Sequence, residues 1–287
     1  LKTAWQASGI TLLGALAVTF ELTITSGGTS RTIDDFGDSF VVRSFPVGNG
    51  PIDSERTSVF YGKEGEGEPG FAPARFFKDP VGVYHAIVSR TGNSTYAAGY
   101  KKAVFLDLGS HWAERVVDKL AAKGLLSGKT ESAFAPDERI TRAEFASLLV
   151  KGLGLQDEQG ASAFRDVKEP SWYAKDVSIA TGKGLLTGDP GGSFRPNAPL
   201  TRQELAVIIA NALRYAKPQE KLAEASLASF TDAYRVPGWA EGAMRTVVAA
   251  GILSGDGSGR LNPGGYATRA QAAVAVERLL QKLGFMD

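Results

Sequence analysis

Arginine follows threonine at three matched places: Thr141-Arg142, Thr201-Arg202 and Thr268-Arg269. Three residues after each threonine stands Glu144, Glu204 or Gln271. That is a capping box: the hydroxyl accepts from an orphan backbone N–H, and the Glu or Gln reaches back to the cap amide. Each arginine is then a first helical residue. A cation there opposes the helix dipole at a cost of a few tenths to about 1 kcal/mol. Its recurrence in all three copies asks for another use. A guanidinium beside a helix N-terminus is a receptor for a carboxylate or a phosphate. An ion pair with a nearby carboxylate, such as Asp107 or Asp137, is the other use.

One and the same interval separates Trp112 from Thr141, Trp172 from Thr201 and Trp239 from Thr268. An indole at such a place either stacks on a ring-shaped ligand or anchors the first helix in a core. A second shared interval leads from each tryptophan to Gly128, Gly188 or Gly255, where a missing side chain lets a backbone or ligand come close. Catalytic constellations are absent from the sequence. It has no cysteine and only two histidines, His85 and His111, so neither a thiol site, a zinc centre nor a Ser-His-Asp triad is supported. Glu144 and Glu204 are the tempting glycosidase pair, yet both are explained by capping, and the third copy has Gln271. Asp107, Asp166 and Asp232, each two residues after a phenylalanine, are expected to be structural, as helix caps or as ties that hold the bundle together. Asp189-Pro-Gly-Gly and Asp256-Gly-Ser-Gly offer too few acidic ligands for calcium. No metal and no cofactor is expected.

These residues belong to a unit written three times. It opens with Phe105-x-Asp107, Phe164-x-Asp166 or Phe230-x-Asp232. The tryptophan comes next, then Gly124, Gly184 or Gly251 as the helix stop, then the second glycine. Phe134, Phe194 or Leu261 follows, with Pro136, Pro196 or Pro263 two residues later. Each unit reads as helix, loop, helix. Apolar residues recur at helical spacing in the first helix (Val117 and Leu120, Val177 and Ala180, Met244 and Val247). They recur again in the second (Phe145 and Leu149, Leu205 and Ile209, Ala272 and Val276). Neither helix buries its stripe alone, so three pairs are expected to share one core in a closed, pseudo-threefold arrangement.

Phe-x-Asp, Trp-Ala, Gly-Leu-Leu-x-Gly, Phe-x-Pro and Thr-Arg-Ala-Glu together resemble the S-layer homology module, from about residue 104 to the end. The resemblance implies three helix-loop-helix repeats around a central three-helix bundle, with grooves between neighbours. It also implies non-covalent anchoring of an exported protein to a Gram-positive wall through a secondary cell-wall polysaccharide, often one bearing pyruvate ketals on N-acetylmannosamine. On this reading Arg142, Arg202 and Arg269 pair with the pyruvate carboxylates, and Trp112, Trp172 and Trp239 stack on the sugars. Gly128, Gly188 and Gly255 line the groove floor. The third unit departs most, with Gln271, Leu261 and Ala267, so its groove is expected to differ in affinity or occupancy. Lattice self-assembly, or membership as the non-catalytic part of a larger secreted glycoside hydrolase, is the alternative. The chain itself is not expected to be an enzyme.

Residues 1–103 have a different texture. Alternation of apolar and polar residues over 18–25 predicts a half-buried strand. Further strands are predicted over 39–47, 57–61, 74–77, 83–89 and 94–98, separated by turn-forming stretches at 48–51, 62–70 and 91–93. The expectation is an all-β, sandwich-like domain, immunoglobulin-like by the company such repeats keep and lacking its first strands, because 1–17 is hard to place. Domains are expected at 1–103, 104–163, 164–229 and 230–287. The interval from Thr201 to Thr268 is longer than that from Thr141 to Thr201, and the added chain falls in 214–229.

The 32 basic and 31 acidic residues nearly cancel, which gives no argument for nucleic acid or a charged membrane surface. No apolar run is long enough for a spanning helix, so no membrane span is predicted. The chain opens on Leu1-Lys2 without a convincing signal sequence. It is expected to be a piece of a longer exported protein, placed in the wall or surface layer of a bacterium.

Overall fold

The computed structural model describes residues 2–14, 16–63, 68–156 and 164–287. The glutamate-bearing separator expected over 62–70 therefore falls partly outside the described residues, as does the first repeat junction at 163. The chain divides into two compact units. One comprises Leu1–Phe134 with Lys151–Gln156 and Gly284–Asp287; the other comprises Ala135–Val150 with Asp157–Leu283. The N-terminal part of the chain carries the sheets and the C-terminal part the repeat helices.

The first unit begins with α1 (Lys2–Ala7) and then β1 (Ile10–Leu12), β2 (Val18–Thr19), β3 (Leu22–Ser26), β4 (Thr29–Ile33) and β5 (Val41–Gly48). There follow β6 (Ser58–Gly62), β7 (Gly70–Ala72), β8 (Ala74–Lys78), β9 (Tyr84–Arg90) and β10 (Thr95–Lys101), and after a 3-10 turn α2 (Glu114–Ala122). One antiparallel sheet runs β1-β10-β6-β7, with β2 also on β10; another runs β5-β9-β8. Period-two burial explains why these pack. In β5, Arg43, Phe45 and Val47 are buried while Ser44 and Pro46 are exposed. Phe45, Val47, Ala74, Ala86 and Val88 of one sheet share a core with Val59, Ala72, Tyr96 and Ala98 of the other. The opposite face of the larger sheet is covered too: Trp5 of α1, 1% exposed, packs with Ile10, Phe60 and Ala97.

One predicted strand is corrected. Residues 18–25 form two pieces, because the chain turns at Phe20 to place its ring in the core, 6.2 Å from Phe45 and 5.9 Å from Tyr96. Beyond it, β3 and β4 form a hairpin in which every residue of β3 is exposed. The alternation there reflects a two-sided ribbon. Its turn is Gly27-Gly28, with φ of 58° and 80°, the pair of left-handed residues that a two-residue hairpin requires. Four short elements, α1, β1, β4 and β7, were not predicted.

The helices of the repeats that follow are α3 (Arg142–Gly152), α4 (Ala174–Gly182), α5 (Arg202–Ala216), α6 (Gly238–Ala249) and α7 (Arg269–Leu283). The apolar stripes face inward: Phe145, Leu149, Leu205, Ile209, Ala272 and Val276 are each at most 1% exposed. The residues just before the capping threonines close a ring of backbone hydrogen bonds. Ile140 donates to the Ala267 carbonyl (3.0 Å), Ala267 to Leu200 (2.9 Å) and Leu200 to Ile140 (3.0 Å). Among the described residues, no helix is long and apolar enough to cross a membrane.

Candidate functional site

Each motif helix starts with its amides already engaged. The Thr141 hydroxyl accepts from the Glu144 amide at 3.2 Å, and the Glu144 carboxylate accepts from the Thr141 amide at 2.9 Å. The same reciprocal pair joins Thr201 to Glu204 and Thr268 to Gln271. The next two amides go to the loop of the following repeat. Arg142 and Ala143 donate to Ala198 and Pro196, Arg202 and Gln203 to Gly265 and Pro263, and Arg269 and Ala270 to Glu138 and Pro136. The expected receptor of free helix amides plus a guanidinium is therefore corrected: the amides that would bind an anion fasten one repeat to the next.

The arginines share in this fastening. Arg142 is 7% exposed; its Nε donates to the Phe194 carbonyl at 2.7 Å and an Nη to the Thr187 carbonyl at 2.6 Å, with the guanidinium 4.8 Å from the Phe194 ring centre. Arg202 repeats the pattern on Leu261 (2.7 Å) and Ser254 (2.9 Å), and its remaining Nη reaches Gln271 at 3.3 Å. Arg269 is 8% exposed and pairs with the Glu144 carboxylate at 3.1 Å. Burial pulls the guanidinium pKa of Arg142 and Arg202 down; Glu204 opposes this at Arg142, and Asp256 and Asp232 oppose it at Arg202. Arg142 and Arg202 thus each place a guanidinium under a loop, while that of Arg269 is paired with Glu144.

The Phe-x-Asp carboxylates hold those loops. Asp166 accepts from the amides of Phe194 and Arg195, both at 2.8 Å, and Asp232 from those of Leu261 and Asn262, both at 2.8 Å. Asp107 accepts from Phe134 at 2.9 Å. Each staples a loop of its own repeat and caps no helix through these bonds, which corrects the expected cap role. The reason is local: Arg195 and Asn262 sit at φ of 59° and 49°, and a carboxylate across the turn offsets the cost of that left-handed backbone. Against the desolvation that would raise it, the amides of Phe194 and Arg195 hold the Asp166 carboxyl below its ordinary value.

The glycines have a packing reason. A Cβ on Gly188 would lie 2.1 Å from Cε1 of Phe164, and one on Gly255 2.8 Å from Cε1 of Phe230. On Gly128 it would meet the Thr130 carbonyl at 2.3 Å and Cε1 of Phe105 at 2.6 Å. Gly188→Ala is accordingly expected to cost about 1 to 3 kcal/mol, read as a lowered urea midpoint. An unchanged midpoint would mean that the ring of Phe164 gives way freely.

The tryptophans are placed differently from everything else in the motif. Trp112, Trp172 and Trp239 are 63%, 64% and 61% exposed. That rules out the core-anchor role for all three. Between the second and third repeats Trp239 borders an open cleft of about 510 Å³. Gln203 of the second repeat lines it, as do Arg235, Pro237, Asn262, Pro263, Gly264 and Gly265 of the third. Of these the sequence marks Trp239 as a ligand contact and Pro263 as a repeat position, and the rest not at all. A sequence signal for Arg235 exists: the stretch from Asp232 to Trp239 is longer than those from Asp107 to Trp112 and from Asp166 to Trp172.

The other chemical candidates are occupied. His85 Nε2 lies 3.0 Å from Asp79, with its ring stacked on Phe77, and His111 Nδ1 accepts from the Ala113 amide. Asp256 is held down to about 2 by the Ser258 hydroxyl and the Arg260 amide, and Asp189 pairs with Arg195 at 2.7 Å. Among the described residues, no group of three or more His, Cys, Asp or Glu is placed to hold a metal.

Comparison with known proteins agrees with this arrangement. The family model of the S-layer homology domain matches residues 104–146, 163–206 and 229–273. An amylopullulanase of Thermoanaerobacterium thermosulfurigenes is 33% identical over 67% of the chain, which spans 10% of that protein. An exoglucanase, XynX, of Acetivibrio thermocellus is 32% identical over 63% of the chain and 17% of its own length. A surface-layer 125 kDa protein of Lysinibacillus sphaericus is 32% identical over 61% of the chain and 14% of its own length. The chain thus spans less than a fifth of each of these relatives. Residues 104–146, 163–206 and 229–273 of the chain are thus three S-layer homology domains.

Proposed function

We propose that the chain anchors a surface protein to the bacterial cell wall, outside the cell, by holding a secondary wall polysaccharide in grooves between successive repeats. The observation that carries this is the exposure of Trp112, Trp172 and Trp239, each more than 60% bare at the same place in its repeat. A folded chain gains nothing by leaving three matched indoles in water, whereas an apolar ring face is what a sugar stacks on. Pyruvylated N-acetylmannosamine is the ligand unit we favour, because the cleft beside Trp239 is lined by a guanidinium, that of Arg235, and by no carboxylate. The closed hydrogen-bond ring at Ile140, Leu200 and Ala267 supports a pseudo-threefold bundle, which would present the grooves around one axis. Relatives named for amylopullulanase, exoglucanase and surface-layer proteins differ in what they do. What they share with this chain is then an address, and we assign it no reaction.

The test is calorimetric titration of the whole chain with purified wall polysaccharide. Trp239→Ala is expected to weaken binding about tenfold, about 1.4 kcal/mol, without moving the melting temperature. Removing the pyruvate from the polymer is expected to weaken it further. If the parent chain binds neither form but oligomerises with concentration, lattice self-assembly takes the place of this reading.

A further inference from the structure

The cleft beside Trp239 contains one charged side chain among its described lining residues, and it is Arg235 rather than the motif arginine. Arg202 lies beneath the 261–265 loop and spends donors of all three of its nitrogens on Leu261, Ser254 and Gln271. Arg235 is exposed, at the end of a 3-10 turn over Ala233–Arg235. Its amide bonds the Asp232 carbonyl at 2.9 Å, and Asp232 is itself tied to the loop that forms the far wall. The guanidinium is steadied by Tyr234, whose hydroxyl accepts from Nε at 3.2 Å and whose ring centre lies 5.6 Å away. That bond leaves both Nη groups without a protein partner among the described residues, and no carboxylate lines the cleft to neutralise them.

We infer that Arg235 is the anion-recognising residue of the groove between the second and third repeats, selecting a carboxylate-bearing sugar that stacks on Trp239. This inference rests on the polysaccharide reading above and deepens it. A guanidinium with its two Nη groups free presents the paired N–H donors that match a carboxylate bidentately. Gln203 and Asn262 contribute amides suited to ring hydroxyls, and Gly264 and Gly265 keep the wall low. The first repeat has Leu108-Gly-Ser-His111 in the corresponding place, and the second has Lys168 beside Glu169. Neither supplies an arginine, so the grooves are unequal.

The experiment follows the indole N–H resonances of Trp239 and Trp172 in the whole chain. Pyruvylated wall polysaccharide is titrated in, and then the same polymer stripped of its ketals. Arg235→Gln is expected to raise the apparent Kd read at Trp239 about tenfold and to remove its preference for the ketal-bearing polymer. Trp172 should titrate as in the parent, and Arg235→Lys should recover part of the loss. An Arg235→Gln chain whose Trp239 still titrates like the parent overturns the inference while leaving the polysaccharide reading standing. Equal response of parent Trp239 to both polymers does the same. If no tryptophan responds to either polymer, the underlying reading fails and this inference falls with it.

Discussion

Arg142→Ala is expected to lower the unfolding free energy by about 2 to 4 kcal/mol, because it strands the buried carbonyl of Phe194 and takes a charged donor from that of Thr187. It also removes a cation from the face of the Phe194 ring. Urea denaturation followed by helical circular dichroism measures the loss. Arg142→Lys keeps the charge but not the planar fork that reaches both acceptors, so it should recover only part of the difference. The outcome also decides what wall-binding assays on this residue mean. If Arg142→Ala binds polysaccharide poorly and unfolds early, weak binding reports a loosened repeat junction. A variant that unfolds at the parent midpoint yet loses wall binding would place Arg142 in the ligand site and refute its fastening role.

That contrast shows where sequence reading succeeded and where it ran out. The repeats were legible because their chemistry is local: a threonine and its glutamate three residues on make a cap whatever surrounds them, and both partners are visible in the string. The helical stripes were legible for the same reason, and β8 and β9 began within a residue of where they were predicted. What the arginines touch was not legible. Arg142 and Arg202 donate to backbone carbonyls 45 to 59 residues away, and a carbonyl leaves no mark in the sequence. The aspartates hid their role similarly, since their partners are amides of left-handed residues and their neighbours 28 to 30 positions on, at Phe194, Arg195, Leu261 and Asn262. In the tryptophans the sequence left core and ligand platform undecided, and exposure separates them. The strand at 18–25 misled because alternation encodes two faces without saying whether either is covered. Arg235 escaped because comparing the repeats for what they share passes over what one of them adds.

Lys123, at the C-terminal end of α2, makes stability depend on alkaline pH. It is 1% exposed, and its Nζ donates to the carbonyls of Ser54 at 2.5 Å and Thr57 at 2.6 Å. Burial, and then the charge of Lys119, bring its pKa from the ordinary 10.5 down to about 8, against the pull of Asp287, Glu55 and Asp53. A lysine whose folded pKa is depressed binds fewer protons in the folded chain than in the unfolded one between those two values. Stability therefore rises with pH across that window, by about 3 kcal/mol for a difference of this size. Below about pH 8 the full cost of the buried cation is present; above about 10.5 it is relieved. Other lysines and the tyrosines titrate in the same range, so the quantity to measure is the unfolding free energy of the parent minus that of Lys123→Met. The methionine variant strands the same two carbonyls at every pH, and this contribution cancels from the slope. The difference is expected to move in the parent's favour by about 3 kcal/mol between pH 7.5 and 10.5. A flat difference would mean that the two carbonyls stabilise the ammonium as well as water does, and that burial at this position leaves its proton where an exposed lysine keeps it.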